Sequence, residues 1–219
     1  MFYLIGTGLG ENEITKEGEE ALNKCEEIFY EDYTSFPPLK IGKKLSREEV
    51  ENGLFLKNAK FKNVALLVGG DPLFSTTHIS LILSCIDQNI QYKIIHAPSI
   101  INVISETGLF IYKFGQIVSL PKFTENYQPE SVFEKIKFNK EHGFHTLVLV
   151  DPLLDYYSAY SLLKKGLNIE ENDILAIKYD ERLHFNYAKN SSFSFPFSFI
   201  VLGNLNALEK EFLEKLISH

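Results

Sequence analysis

Three short segments carry the residue types best suited to chemistry: Gly6-Thr7-Gly8-Leu9-Gly10, Gly69-Gly70-Asp71-Pro72 and Ala97-Pro98-Ser99-Ile100. Glycine lacks a Cβ, so it lets a ligand approach the main chain closely; it serves a plain tight turn equally well. Pro72 fixes its own φ and removes a donor, which leaves neighbouring carbonyls free to face a ligand. Asp71 can accept from a ligand amine or hydroxyl, or can be an ordinary turn residue. Ser99 can cap a helix starting at Ile100, bind a ligand, or do both with one hydroxyl. The first segment is not a dinucleotide fingerprint, because the third glycine of G-x-G-x-x-G is Glu11 here.

The other reactive residues form no comparable group. Of the six histidines, His142 and His145 have H-x-x-H spacing, but Gly143 lies between them and no further ligand is spaced nearby. Each histidine therefore reads as structural or solvated, and no metal site is expected. Cys85 and His96 have no third partner for a Cys–His nucleophile. There is no P-loop and no G-x-S-x-G elbow.

The elements around these segments alternate strand and helix. Phe2–Ile5 reads as a strand, and Ile14, Gly18, Ala21, Leu22 and Cys25 mark the face of a helix capped by Thr15. Ile28–Tyr30 is a second strand, and Ser46 to Glu49 a capping box. The unbroken apolar run Val64–Val68 is expected of a parallel strand covered on both faces. A helix burying Ile79, Ile82, Leu83 and Ile86 follows, then a strand at Lys93–His96. All three chemical segments thus fall after strands, at the edge where open α/β sheets bind ligands.

The rhythm restarts after Gly115. Strands are expected at Ile117–Leu120, Thr146–Val150, Ile174–Tyr179 and Phe199–Leu202. One helix runs around Val132, Phe133 and Ile136, a second ends near Gly166, and a third spans Asn206–Ile217 with Leu208, Phe212 and Leu216 on one stripe. Ser191–Phe199 reads as a loop or an edge strand. The expectation is an α/β fold of two domains, residues 1–113 with a mostly parallel sheet and residues 114–219 with a mixed sheet.

Composition narrows the class. Hydrophobic residues make up 45% of the chain and charged residues 23%. At this length such a composition can fold around a sizeable core. A net charge of −7 opposes non-specific nucleic-acid binding, which needs a basic face. Two cysteines, Cys25 and Cys85, are too few for a disulfide scaffold and read as reduced core residues. The N-terminus lacks a basic region and a cleavage site. No apolar run reaches the length of a membrane span, about 20 residues. The chain reads as a soluble intracellular protein.

Taken in order, the segments resemble the diphthine synthases. Tyr3 to Gly10 followed by Asp32-Tyr33-Thr34-Ser35 is similar to that family's opening, and Gly70-Asp71-Pro72-Leu73 with Thr76-Thr77-His78 to its central motif. His96-Ala97-Pro98-Ser99-Ile100, Thr107-Gly108-Leu109 and Ile111 to Gly115 continue the likeness. Gln128 to Ser131 and His142 to Leu147 are most similar to the eukaryotic branch, and beyond Asp151 the likeness thins.

That resemblance implies two α/β domains of the tetrapyrrole methylase type, with S-adenosyl-L-methionine bound in the cleft between them and S-adenosyl-L-homocysteine as product. It implies a cytoplasmic methyltransferase, a homodimer, that modifies elongation factor 2 in diphthamide biosynthesis. The acceptor is a modified histidine, taken to diphthine by trimethylation of an amine or onward to diphthine methyl ester by methylation of a carboxylate. No nucleic-acid or membrane partner is implied.

By position in the family pattern, the cofactor contacts would be Leu9, Asp71, Phe74, Ser99, Ile100 and Val150. Two further positions depart from it: Glu181 stands in the family's Ala-Arg-x-Gly strand end, and Phe197 replaces a family histidine. No residue is nominated for proton transfer, and the catalytic residues stay open. The alternatives are a binding module of the same fold that has lost activity, and a tetrapyrrole or RNA methyltransferase.

Overall fold

A computed structural model of the protein describes residues 1–217 and divides into two units, Met1–Asn102 and Val103–His219. The first unit is built on five parallel strands: β1 (Phe2–Gly6), β2 (Glu27–Tyr30), β3 (Lys43–Lys44), β4 (Val64–Val68) and β5 (Tyr92–Ile95). Their order across the sheet is β3-β2-β4-β1-β5. Side chains alternate between faces with period two, so one strand feeds two cores. Phe2, Leu4, Val64, Leu66 and Val68 pack on one face, and Tyr3, Ile5, Ala65, Leu67 and Ile95 on the other. Every residue of β4 is therefore buried, as its uninterrupted apolar sequence requires.

The helices of this unit are α1 (Lys16–Leu22), α2 (Arg47–Asn52), α3 (Ile79–Asp87) and the short turn α4 (Ile100–Val103). Thr15 caps α1 by accepting from the Gly18 amide at 3.2 Å. Ser46 with Glu49 forms the full capping box of α2. The buried face of α3 is Leu81, Ile82 and Cys85, whereas Ile79, Leu83 and Ile86 are each more than half exposed. This corrects the sequence reading. The helix is apolar on nearly every side, so periodicity alone does not select the face; contact with Val64, Leu66 and Val68 does.

The second unit carries a mixed sheet of β6 (Val118–Leu120), β7 (Thr146–Val150), β8 (Ile174–Asp180), β9 (Arg182–Tyr187) and β10 (Ser198–Val201), ordered β6-β7-β10-β8-β9. The β6–β7 pair is parallel, and the other pairs are antiparallel. The helices are α5 (Ser131–Glu141), α6 (Tyr156–Leu167) and α7 (Ala207–Ile217). Strand β9 was not anticipated. Ser191–Phe199 is neither edge strand nor wholly loop, since its last two residues open β10 between β7 and β8. Helix α6 ends near Gly166 as expected, at Leu167, but the left-handed residue that closes it is Asn168, with φ 51°, and not Gly166. Gly166 instead leaves room for the Phe133 ring, which a Cβ would meet at 2.4 Å.

One buried carboxylate organises the start and end of this unit. Glu209 on α7 has no exposed surface. It accepts from the Phe110 amide at 3.0 Å, the Asn206 amide at 2.9 Å, Lys113 Nζ and His145 Nε2 at 3.3 Å. These bonds tie residues 103–113 to the second unit, so the division falls after Asn102. The Gly203 amide donates to His145 Nδ1 at 2.9 Å. Nε2 therefore carries the ring proton and donates to Glu209. Burial holds His145 below the ordinary imidazole value despite the adjacent carboxylate. The α7 stripe Leu208, Phe212 and Leu216 is exposed; Glu209 and Leu213 face inward.

Burial alone would raise Glu209, but Lys113, the two amides and His145 outweigh it and bring its pKa down to about 2. A folded value below the unfolded one stabilises the native state at neutral pH. That contribution is complete above the unfolded value and is lost as pH falls toward 2. We expect Glu209→Gln to cost about 3 kcal/mol by leaving Lys113 opposite a neutral amide, read by urea unfolding at pH 7. The difference between wild type and variant should shrink steadily from pH 5 to pH 2.

Candidate functional site

The strand order sets the position of the site. From β1 the chain crosses toward β2 on one side, and from β4 it crosses toward β5 on the other, so the connections diverge between the neighbours β1 and β4. Such a switch point opens a crevice at the carboxyl ends of the strands. The segments after β4, β1 and β5 are therefore side by side at one edge.

Contacts between main chains fix their spacing. Gly8 and Gly70 exchange backbone hydrogen bonds, Gly70 N to Gly8 O at 2.8 Å and Gly8 N to Gly70 O at 3.3 Å. Both have positive φ, 74° and 70°. Gly6 lies beneath this bridge. A Cβ there would stand 2.6 Å from Gly70 O, 2.8 Å from Pro72 Cδ and 3.0 Å from Ala97 Cβ, so the other two segments press on one hydrogen atom of the first. A Cβ on Gly70 would point toward Ser99 at 3.5 Å and Leu9 Cδ2 at 3.8 Å.

A second network holds the Asp71–Pro72 turn. The carbonyl of Pro72 accepts from Thr76 Oγ1 at 2.7 Å and from His78 Nδ1 at 3.1 Å. His78 Nε2 accepts from the Tyr33 hydroxyl at 3.3 Å, and buried Glu31 takes the amides of Tyr33 at 2.9 Å and Thr34 at 3.0 Å. Burial lowers the His78 pKa against the opposing pull of Glu31, and the ring stays neutral in this role. The Pro72 carbonyl is thus engaged inside the protein.

The edge carries an open cavity of about 570 Å³ lined by Asp71, Leu73, Phe74, His96, Ala97, Pro98, Ser99, Ile101 and Asn102. Its size is within the range of small-ligand sites. Asp71 Oδ1 accepts from the Leu73 amide at 3.0 Å, and Oδ2 pairs with His96 Nδ1 at 2.7 Å. Ser99 is buried; its amide donates to Asn102 Oδ1 at 2.9 Å and its hydroxyl to the same atom at 3.4 Å.

Of the residues anticipated from sequence, Asp71, Phe74 and Ser99 line this cavity and Leu9 stands beside Gly70. Ile100 is half-buried and follows Ser99 into α4. Val150, Glu181 and Phe197 belong to the second unit. Val150 and Phe197 share its core, where Phe197 packs against Tyr156 at 5.3 Å and Phe199 at 5.6 Å between ring centroids. Glu181 sits alone between β8 and β9 with φ 59°. That left-handed conformation costs a side-chain-bearing residue about 1–2 kcal/mol.

Sequence reading missed His96, whose neighbourhood with Asp71 arises only when β4 and β5 flank β1. It also missed His78, whose Thr76-Thr77-His78 context held the one available signal.

A family model described as "Tetrapyrrole (Corrin/Porphyrin) Methylases" matches residues 1–179. The chain belongs to this family. It is 40% identical over 179 residues to diphthine methyl ester synthase of Bos taurus, a match covering 75% of this chain and 62% of that protein. It is 44% identical over 164 residues to diphthine methyl ester synthase of Schizosaccharomyces pombe, covering 69% and 58%. The chain thus spans about three-fifths of the length of these curated relatives. A crystal structure of diphthine synthase superposes with TM-score 0.89 over 99% of this chain and 96% of that one, at 24% identity, a likeness of fold.

Within this tetrapyrrole methylase fold, Gly6→Ala should force the β1, β4 and β5 ends apart. We expect a loss of about 1–3 kcal/mol, measured by thermal unfolding. Gly10→Ala, whose Cβ would meet only the Glu13 side chain at 3.3 Å or beyond, should cost less.

Proposed function

We propose that this protein is an S-adenosylmethionine-dependent methyltransferase acting on the modified histidine of elongation factor 2 in diphthamide biosynthesis, giving diphthine or its methyl ester. The observation that carries the reading is the convergence of Leu9, Gly70, Asp71, Phe74 and Ser99 at one sheet edge, in a chain 40% identical over the matched segment to a protein named diphthine methyl ester synthase. A cytoplasmic, homodimeric enzyme with a protein substrate fits the same reading. No described helix is long and apolar enough to cross a membrane.

The residues present suit the cofactor. The cavity combines apolar Leu73, Phe74 and Ile101 with one carboxylate, Asp71, and the chain is acidic overall. A negative lining favours a sulfonium cation. Gly70 has no side chain on the surface between Leu9 and Ser99, so a ligand there meets bare backbone.

When bound, S-adenosylmethionine supplies an electrophilic methyl group on a sulfur that leaves as a neutral thioether with the bonding pair. The protein's contribution is orientation of the acceptor in line with that bond, an effect that reaches ~7–11 kcal/mol in well-aligned systems. Asp71 positions, and Leu9, Phe74, Ser99 and Ile100 shape the surface. A carboxylate acceptor attacks as it stands, whereas an ammonium must first lose a proton.

The test supplies labelled S-adenosylmethionine and elongation factor 2 carrying the unmethylated intermediate, with mass spectrometry to count methyl groups. Three or four added methyls support the proposal and identify the product as diphthine or its methyl ester. No transfer by folded protein contradicts it. Asp71→Ala should weaken S-adenosylhomocysteine binding at least tenfold, seen as a smaller ligand-induced rise in Tm; unchanged affinity removes Asp71 from the cofactor site.

A further inference from the structure

We propose that His96 is the general base that deprotonates an amine acceptor, with Asp71 as its positioning residue; this rests on the methyltransferase reading of the same cavity. His96 follows β5, and Asp71 follows β4, on either side of the β1 segment. Their side chains meet at 2.7 Å between His96 Nδ1 and Asp71 Oδ2. An ionised carboxylate is an acceptor only, so Nδ1 carries the proton of the neutral ring and Nε2 keeps a lone pair. Asp71 is held from its other side by the Leu73 amide, and its side chain is 17% exposed against 67% for His96. A fixed carboxylate thus holds an accessible imidazole in one tautomer. Among the described residues lining the cavity, these are the titratable ones.

The step balances without any further reactant. The acceptor ammonium N–H bond breaks and a Nε2–H bond forms, while the electron pair stays on the acceptor nitrogen as its nucleophilic lone pair. The imidazolium so formed is paired with Asp71, and its exposed edge returns the proton to water. Successive methylations of one amine each release one proton and use the same cycle. A carboxylate acceptor has no proton to lose, so the need for His96 differs between the two acceptor types. General bases of this kind typically contribute about 10²–10⁴-fold.

Two measurements test this. Imidazole ¹⁵N NMR should show neutral His96 as the Nδ1–H tautomer, and Asp71→Ala should release it to a tautomer mixture. An Nε2–H tautomer in the wild-type protein overturns the proposal. Methyl transfer by His96→Gln should then be compared on elongation factor 2 bearing the free amine and on the trimethylated form whose acceptor is the carboxylate. The amine rate should fall at least tenfold more than the carboxylate rate. An equal fall in both, or none, overturns the role of His96. Wild-type protein inactive on both acceptors is a different result: it defeats the methyltransferase reading, and this inference with it.

Discussion

Two glycines that bond to each other, Gly8 and Gly70, set the distance between the β1 and β4 segments, and the bare Gly6 beneath them sets the approach of β5. Two main chains and the Ala97 methyl group meet at this point, which brings the ends of three strands to one edge. Asp71 then reaches across the β1 segment to His96, and Ser99 comes to face Leu9 over Gly70. The buried His78–Pro72 contact fixes the turn from the other side. The cavity is a consequence of close backbone packing, and its few polar groups are aimed by that packing.

The second unit uses a different device. Its ends are joined by charge, through Glu209 with Lys113, His145 and two amides, around a carboxylate that has no exposed surface. A buried carboxylate with four donors is well satisfied, and the donors come from three stretches of chain, Phe110 with Lys113, His145, and Asn206. The candidate residues Val150 and Phe197 sit on the hydrophobic core of this unit, where Phe197 is one ring of an aromatic group with Tyr156 and Phe199. A large apolar side chain at that position has a packing role of its own, independent of any contact with a ligand.

Much of this was legible in sequence where the signal is local. Thr15, Ser46 and Glu49 announce their caps because a cap is a matter of a few residues. Val64–Val68 appears with the expected limits because a strand covered on both faces must be apolar throughout, and Thr146–Val150 does so with Thr146 as its one polar residue, buried against Asn139. The glycine segments were recognisable for the same reason. What failed depends on partners distant in sequence. The face of α3 is chosen by the sheet, and the inward face of α7 by a carboxylate that looks like a surface residue. Strand β9 follows β8 through Glu181 with no glycine or asparagine to mark the turn. His96 looked solvated because nothing in its neighbourhood along the chain says that Asp71 lies opposite.

If the segments after β1, β4 and β5 form one ligand site, a single ligand must protect all of them at once. Hydrogen exchange with and without S-adenosylhomocysteine tests this most directly. Saturating ligand should slow exchange in all three segments, residues 6–10, 69–74 and 97–102. Unchanged exchange there, with saturating ligand bound elsewhere or not at all, would contradict a shared site.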